Sequence, residues 1–171
     1  GLFAMARVSV PKGKKSSSIV VLGHPGEWGL HFMSGPVCYA KLIHPGDRRL
    51  ICREITQEDV SPLFVVRVAT RENAYTMEEL EGLGITEQSV SSLLGASHRG
   101  WLCEDAGRVV AFAMGNRENG EMWVIAVLPE YEGRGIGARL LTRVEDWLWS
   151  EGWNRIWLTT GIDPSLRAYG F

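Results

Sequence analysis

Residues 122–128 form an unbroken apolar run closed by Pro129. A short apolar run of this kind predicts a strand covered on both faces. A polar stretch with Gly133, Gly135 and Gly137 follows. Apolar positions then recur at helical spacing, at Ile136, Leu140, Leu141, Val144 and Leu148, with Arg139, Arg143, Glu145 and Asp146 opposite. That pattern predicts an amphipathic helix, stopped at Gly152. The same reading places strands at 50–55, 100–104, 108–114 and 155–160. Helices are expected after Thr56, with Asp59 in the first turn and Val60, Leu63, Phe64 and Val68 apolar, after Thr76 and over 86–94. Thr56 suits a helix cap, and Thr76 with Glu79 has capping-box spacing. Turns at Asp105-Ala106-Gly107 and over 116–120 link the middle strands as an antiparallel meander. The closing strand–helix–strand unit predicts a right-handed parallel crossover. The expected class is mixed α/β, mainly antiparallel, with one βαβ crossover.

Residues 1–49 carry little periodicity. Residues 12–18 are small and polar, and 19–22 suit one short strand. His-Pro-Gly at His24 and His44 reads as two turns. His24, His31 and His44 have no acidic or thiolate cluster beside them, so no metal site is expected. Gly1 points to a processed or tag-derived start, and Met33 is an alternative native start. The division expected is an accessory extension over 1–49 and a domain over 50–171.

The 171 residues are 45% apolar and 22% charged, with a net charge of −2, which suits one globular domain. The charge makes no case for nucleic acid or an anionic membrane. No apolar run approaches membrane-spanning length. Cys38, Cys52 and Cys103 are odd in number and lack metal spacing. They are read as reduced thiols in a cytoplasmic protein. Trp147, Trp149, Trp153 and Trp157 cluster around the long helix. Without a basic groove they read as packing rather than a base-stacking platform.

Glycines at a strand-to-helix junction let backbone N–H groups converge ahead of a helix N-terminus, which is an anion site. Gly133, Gly135 and Ala138 also satisfy the dinucleotide pattern G-x-G-x-x-[G/A]. That fingerprint needs a parallel βαβ unit with an acidic residue ending its second strand. Here the preceding strands are hairpin-linked, and the next strand ends in Thr159-Thr160-Gly161. A P-loop lysine is also missing.

The run Ile125-Ala126-Val127-Leu128-Pro129-Glu130-Tyr131-Glu132-Gly133-Arg134-Gly135-Ile136-Gly137 resembles the acetyl-CoA signature of the GNAT (Gcn5-related N-acetyltransferase) superfamily. The element order over 50–171 is similar too. Glu132 departs from the family's usual glutamine or arginine. The resemblance implies a GNAT fold and acetyl transfer from acetyl-CoA to a primary amine within a ternary complex. Pyrophosphate would rest on the N–H groups of Gly133, Arg134, Gly135, Ile136, Gly137 and Ala138. The pantetheine arm would pair with the main chain of Ile125, Ala126 and Val127, with the Val127 N–H on the thioester oxygen. Ser165 stands where relatives have a CoA-contacting asparagine. The strand must splay from its neighbour to admit the arm.

An amine with a reference pKa of about 10.4 needs a base at neutral pH. Glu121 is the candidate: it stands at the start of the strand, at the offset of the base in the histone-acetylating branch. Even spacing puts it on the face of Trp123, Ile125 and Val127. A solvated strand-end charge is the other reading. Thr159 and Thr160 read as a strand end, and His98 as part of a polar loop. Ala168-Tyr169-Gly170-Phe171 opens the family's pattern for the thiolate-protonating tyrosine, which would follow Phe171, and the last family strands are absent. Three readings stay open: a truncated chain, a sheet edge supplied by 1–49 in the same chain or a homodimer partner, or a non-catalytic acetyl-CoA-binding module. The acceptor is a small-molecule or peptide amine of open identity.

Overall fold

The structure, a computed structural model, describes residues 7–9, 17–23, 50–71 and 74–161. Its strands are β1 (Arg7–Ser9), β2 (Ser17–Gly23), β3 (Ile51–Glu54), β4 (His98–Asp105), β5 (Arg108–Asn116), β6 (Glu121–Val127) and β7 (Arg155–Gly161). Its α-helices are α1 (Val60–Val68), α2 (Met77–Gly82), α3 (Glu87–Leu93) and α4 (Ile136–Ser150). They build a sheet of order β1-β2-β7-β6-β5-β4-β3. Every pairing is antiparallel except β6 with β7. The sheet is thus the expected mixed α/β type, with α4 as the crossover. β2 pairs antiparallel along β7, with Ile19 opposite Thr159.

The helices begin where the threonines can satisfy free N–H groups. Thr76 Oγ1 accepts from the Glu79 N–H at 3.1 Å while Glu79 accepts from the Thr76 N–H at 2.9 Å. Thr86 and Ser89 repeat the exchange at α3. After Thr56 a 3-10 turn, Gln57–Asp59, precedes α1. Asp59 accepts from the Thr56 N–H and hydroxyl at 2.7 and 2.8 Å. It also takes a two-pronged bond from Arg53, at 2.7 Å on each prong. Arg53 donates as well to Glu104. This network ties β3, β4 and the start of α1 together.

β5 is buried on both faces from Val109 to Gly115, so the core has two halves. In α4 the buried residues are Ile136, Leu140, Val144, Trp147 and Leu148. Their spacing follows the helical stripe, with Trp147 added and Leu141 only partly buried. A Cβ on Gly115 would come within 2.7 Å of Val144 Cγ1, so β5 needs a glycine there for α4 to approach. Trp147 meets Trp101 edge-on at 6.3 Å. The indole N–H groups of Trp147, Trp153 and Trp157 are bonded to Glu151, Arg117 and Asn119. Trp147 is in the core and Trp153 packs against it.

The reading of the cysteines as reduced thiols does not hold for two of them. Cys52 and Cys103 are directly opposed across β3 and β4, with Cα atoms 4.0 Å apart, and form a disulfide. Register places them together, and their sequence separation of 51 hides it. Cys38, the histidines His24, His31 and His44, and the residues 162–171 lie outside the described residues.

Candidate active site

β6 is held unequally by its neighbours. On the β5 side its ladder runs from Glu121 opposite Asn116 to Val127 opposite Ala111. On the β7 side, pairing is confined to Glu121 with Trp157 and Met122 with Leu158. The edge from Trp123 to Val127 is therefore out of the β7 ladder. The parting begins at a bulge: Gly115 pairs with Met122 and Met114 with Val124, leaving Trp123 as the extra residue. A bulge bends and twists its strand, which separates it from a neighbour. Ile125, within the opened stretch, keeps 37% of its surface exposed. The freed backbone groups need partners, so an open edge is a template for an extended ligand.

The glycine loop lies beside that edge. Gly133 and Gly135 have φ of 72° and 73°. This left-handed conformation costs a residue with a side chain roughly 1–2 kcal/mol. A Cβ at either would meet nothing within 4 Å. Backbone conformation, not crowding, demands glycine, and the space above the loop is open. Gly135 caps α4, and Arg139 N–H donates to its carbonyl at 3.2 Å. The N–H groups of Ile136, Gly137 and Ala138 thus have no acceptor within the helix, and the helix dipole adds positive potential. A Cβ on Gly137 would lie 3.6 Å from Ile125 Cδ1 and 3.7 Å from Val127 Cγ2. The first turn of α4 packs straight onto the open stretch of β6. One ligand with an anionic group and an extended arm fits both.

Both features open into one cavity of about 570 Å³. One side is the glycine loop with Tyr131, Leu141 and Thr159. The other is built by Leu63, Phe64, Arg67, Tyr75, Leu80, Leu83, Ile85 and Val90 from α1–α3 and their connections. Among the described residues, the charged ones on its wall are Glu132 in the loop and Arg67 in α1. Burial holds Arg67 below its ordinary pKa. Its guanidinium lies 4.8 Å from the Tyr75 ring centre and donates to Thr70 Oγ1 at 3.3 Å. The Tyr131 hydroxyl donates to Asp105 Oδ2 at 2.7 Å, and this bond raises the Tyr131 pKa.

A strand edge opened over a helix-capping glycine loop accords with sequence comparison. Residues 62–171 match the model of the acetyltransferase (GNAT) family. The chain belongs to the GNAT acetyltransferase family. It is thus an N-acetyltransferase domain, and acetyl-CoA is the co-substrate of its family. Among curated proteins, none is significantly similar. Among solved structures, PaiA N-acetyltransferase from Thermoplasma acidophilum, in complex with coenzyme A, is similar over 61% of this chain and 74% of its own, at 18% identity and TM-score 0.50. The ribosomal-protein-S18-alanine N-acetyltransferase from Escherichia coli is similar over 61% of this chain and 62% of its own, at 20% identity and TM-score 0.47. This chain spans less than two thirds of that second enzyme. At such identities the likeness concerns the fold alone.

The residues of the GNAT-like run are placed as follows. Ile125, Ala126, Val127, Gly133, Gly135, Ile136, Gly137 and Ala138 all line the cavity. Arg134 is not on that wall: its guanidinium stacks 4.8 Å from the Tyr131 ring centre and donates to the Glu130 carbonyl at 2.8 Å. Ser165, Ala168, Tyr169 and Phe171 lie outside the described residues. Glu121 stands at the far end of β6 and is not part of the lining. Even spacing put it on the face of Ile125 and Val127, but the bulge at Trp123 shifts the alternation. Glu121 pairs with Asn116 and shares a face with Val124 opposite Met114 and Ala126 opposite Phe112. That is the face toward α1–α3. Its carboxylate accepts from Asn119 Nδ2 at 3.2 Å. Burial raises its pKa, with the Asn119 bond opposing.

His98 is not in a polar loop. It opens β4, is buried, has Nδ1 2.8 Å from Ser97 Oγ, and meets Trp123 edge-on at 4.6 Å. Burial lowers its pKa, which favours the neutral ring. Sequence reasoning missed Arg67, Tyr75 and Tyr131 on the wall. A signal existed for Arg67: it is the only charged residue of α1, VSPLFVVRV.

Proposed function

We propose that this chain transfers the acetyl group of acetyl-CoA directly to a primary amine, with both substrates held in the single cavity. The observation that carries the reading is the open edge of β6, from Trp123 to Val127, next to the α4 N-terminus. The pyrophosphate rests on the N–H groups of the glycine loop and first turn of α4. The pantetheine arm pairs with Ile125, Ala126 and Val127 as a pseudo-strand. The Val127 N–H polarises the thioester carbonyl and stabilises the oxyanion. The amine enters from the α1–α3 side. Its nitrogen bonds to the thioester carbon, the C–S bond breaks, and the thiolate leaves to be protonated.

The amine must first lose a proton. Glu121 lies on the α1–α3 face of β6 but off the cavity wall, so it acts as base through water rather than by contact. Its burial-raised pKa suits the role, because a more basic carboxylate takes a proton more readily. Tyr131 is a poor proton donor to the thiolate, since its hydroxyl is held by Asp105.

The test pairs calorimetric binding of acetyl-CoA with thiol release across a panel of amines. Amine-dependent release of CoA thiol is the expected result. Tight binding without release would mark a non-catalytic acetyl-CoA-binding module, and no binding would refute both readings.

A further inference from the structure

The glycine loop cannot be held by its glycines. A Cβ at Gly133 or Gly135 would meet nothing within 4 Å, so neither position packs against a neighbour. Glycine is also the freest residue in rotation, and a loop built on it loses binding energy to ordering unless it is fixed beforehand. Tyr131 supplies a hold from outside. It closes the 3-10 turn Pro129–Tyr131 just before the glycines. Its ring lies 4.8 Å from the Arg134 guanidinium, and its hydroxyl donates to Asp105 Oδ2 at 2.7 Å. Through one aromatic ring, Asp105 is thus linked to the residue between Gly133 and Gly135.

Asp105 is a firm anchor. It ends β4 and pairs with Arg108 across Ala106 and Gly107, whose φ values are 50° and 80°. Positive φ at both central positions marks the tight hairpin turn that matches strand twist, so Asp105 moves with the sheet. Its Oδ1 is buried and has no hydrogen-bond partner among the described residues. The Tyr131 bond to such a carboxylate is charge-assisted and costly to leave unmade. Arg108 and Glu130 approach to 3.3 Å across the same gap, but their side chains are 61% and 52% exposed, so that pair contributes little.

We propose that Asp105 is a positioning residue for the donor substrate: through Tyr131 it presets the backbone of 133–138 that receives the pyrophosphate. This rests on the acetyl-CoA reading above. Asp105 is not part of the cavity lining. In this scheme it touches neither substrate and acts on the binding of one portion of one of them.

The experiment titrates CoA calorimetrically into wild type, Asp105→Ala, Asp105→Asn, Tyr131→Phe and the double variant of Asp105→Ala with Tyr131→Phe. The Kd should rise about five- to tenfold in Asp105→Ala, the worth of one hydrogen bond. Asp105→Asn should recover most of the affinity, because its amide oxygen still accepts from the hydroxyl. Tyr131→Phe should lose as much as Asp105→Ala, and the double variant no more than either. S-acetylpantetheine, a donor without the pyrophosphate, should keep its wild-type KM in Asp105→Ala. The melting midpoint should not fall in that variant, which removes a buried carboxylate oxygen that lacks a partner. An unchanged Kd for CoA in Asp105→Ala would overturn the proposal. So would an equal loss toward S-acetylpantetheine, or a fall in kcat at saturating acetyl-CoA, since either makes the effect general. Hydrogen exchange reads the loop without a ligand. The Arg139 amide, bonded to the Gly135 carbonyl at 3.2 Å, should exchange faster in Asp105→Ala and near the wild-type rate in Asp105→Asn; equal rates in all three would also overturn the proposal. Should wild type bind no CoA, the acetyl-CoA reading falls separately, and the exchange comparison still decides whether Asp105 fixes the loop.

Discussion

Gly135 and Gly152 flank the same helix, and comparing them isolates the anion site from the backbone that forms it. Both sit at positive φ, 73° and 92°, and a Cβ at either meets nothing within 4 Å. Gly135→Ala and Gly152→Ala should therefore carry a similar backbone penalty of about 1 kcal/mol, since only the left-handed conformation is at stake. For a chain this size that is a fall of roughly 2–4 °C in the melting midpoint. The positions lie about 26 Å apart along α4 at 1.5 Å per residue, so only Gly135 lies at the proposed pyrophosphate site. Its added methyl stands in the open space over the loop and keeps phosphate from the N–H groups behind it. Losing one charge-assisted bond there weakens CoA by about 1.5–3 kcal/mol, roughly ten- to 150-fold. Calorimetric titration with CoA, beside thermal melts of both variants, makes the measurement. Equal CoA affinity in the two variants would refute the placement of pyrophosphate. A much larger loss of stability at Gly135 would refute the claim that its surroundings are open.

Four further outcomes follow from particular contacts. Glu121→Gln should lower kcat by about a hundredfold and abolish the rise in rate with pH through the raised carboxylate pKa; an unchanged profile removes Glu121 from the role of base. Hydrogen bonds from Arg53 push Asp59 down to about 2 from 3.8. The folded value is the lower one, so this stabilisation is complete above pH 3.8 and is lost as pH falls toward 2. Asp59→Asn should cost about 2 kcal/mol at neutral pH and flatten the acid limb of the stability curve, as read by urea melts at stepped pH. Alkylation of the denatured chain should leave Cys52 and Cys103 unmodified without reductant and modify both with it, read by peptide mass; modification of both without reductant would contradict the Cys52–Cys103 bond. Amides of 19–22 that bond to β7 should exchange slowly by hydrogen exchange, and uniformly fast exchange would refute the pairing of β2 with β7.

Much of the site was legible because its chemistry is local. The apolar run of β6, the glycines after it and the helical stripe of α4 are contiguous, and each calls for one conformation through steric and burial effects within a few residues. The capping pair of Thr76 with Glu79 is local as well. The positions that misled are those where a distant partner decides. The Trp123 bulge arises from register against β5, so counting residues along β6 placed Glu121 on the wrong face. Cys52 and Cys103 are joined by strand pairing across a long interval. His98 lay next to polar residues in the chain yet is buried by Trp123.

The chain by itself determined most of the strands and helices, where the glycine loop lies, and which family it belongs to. Those properties rest on periodicity, glycine conformation and caps, which act over a turn of helix or a pair of strand residues. Tertiary structure alone decided what the loop stands beside. The splay of β6 from β7 turns a strand edge into a ligand template, and the packing of α1–α3 against it brings Arg67 onto the same cavity wall. A side chain's burial and charge environment depend on elements remote in sequence. Acceptor selection, unlike the glycine loop, therefore has no motif to read.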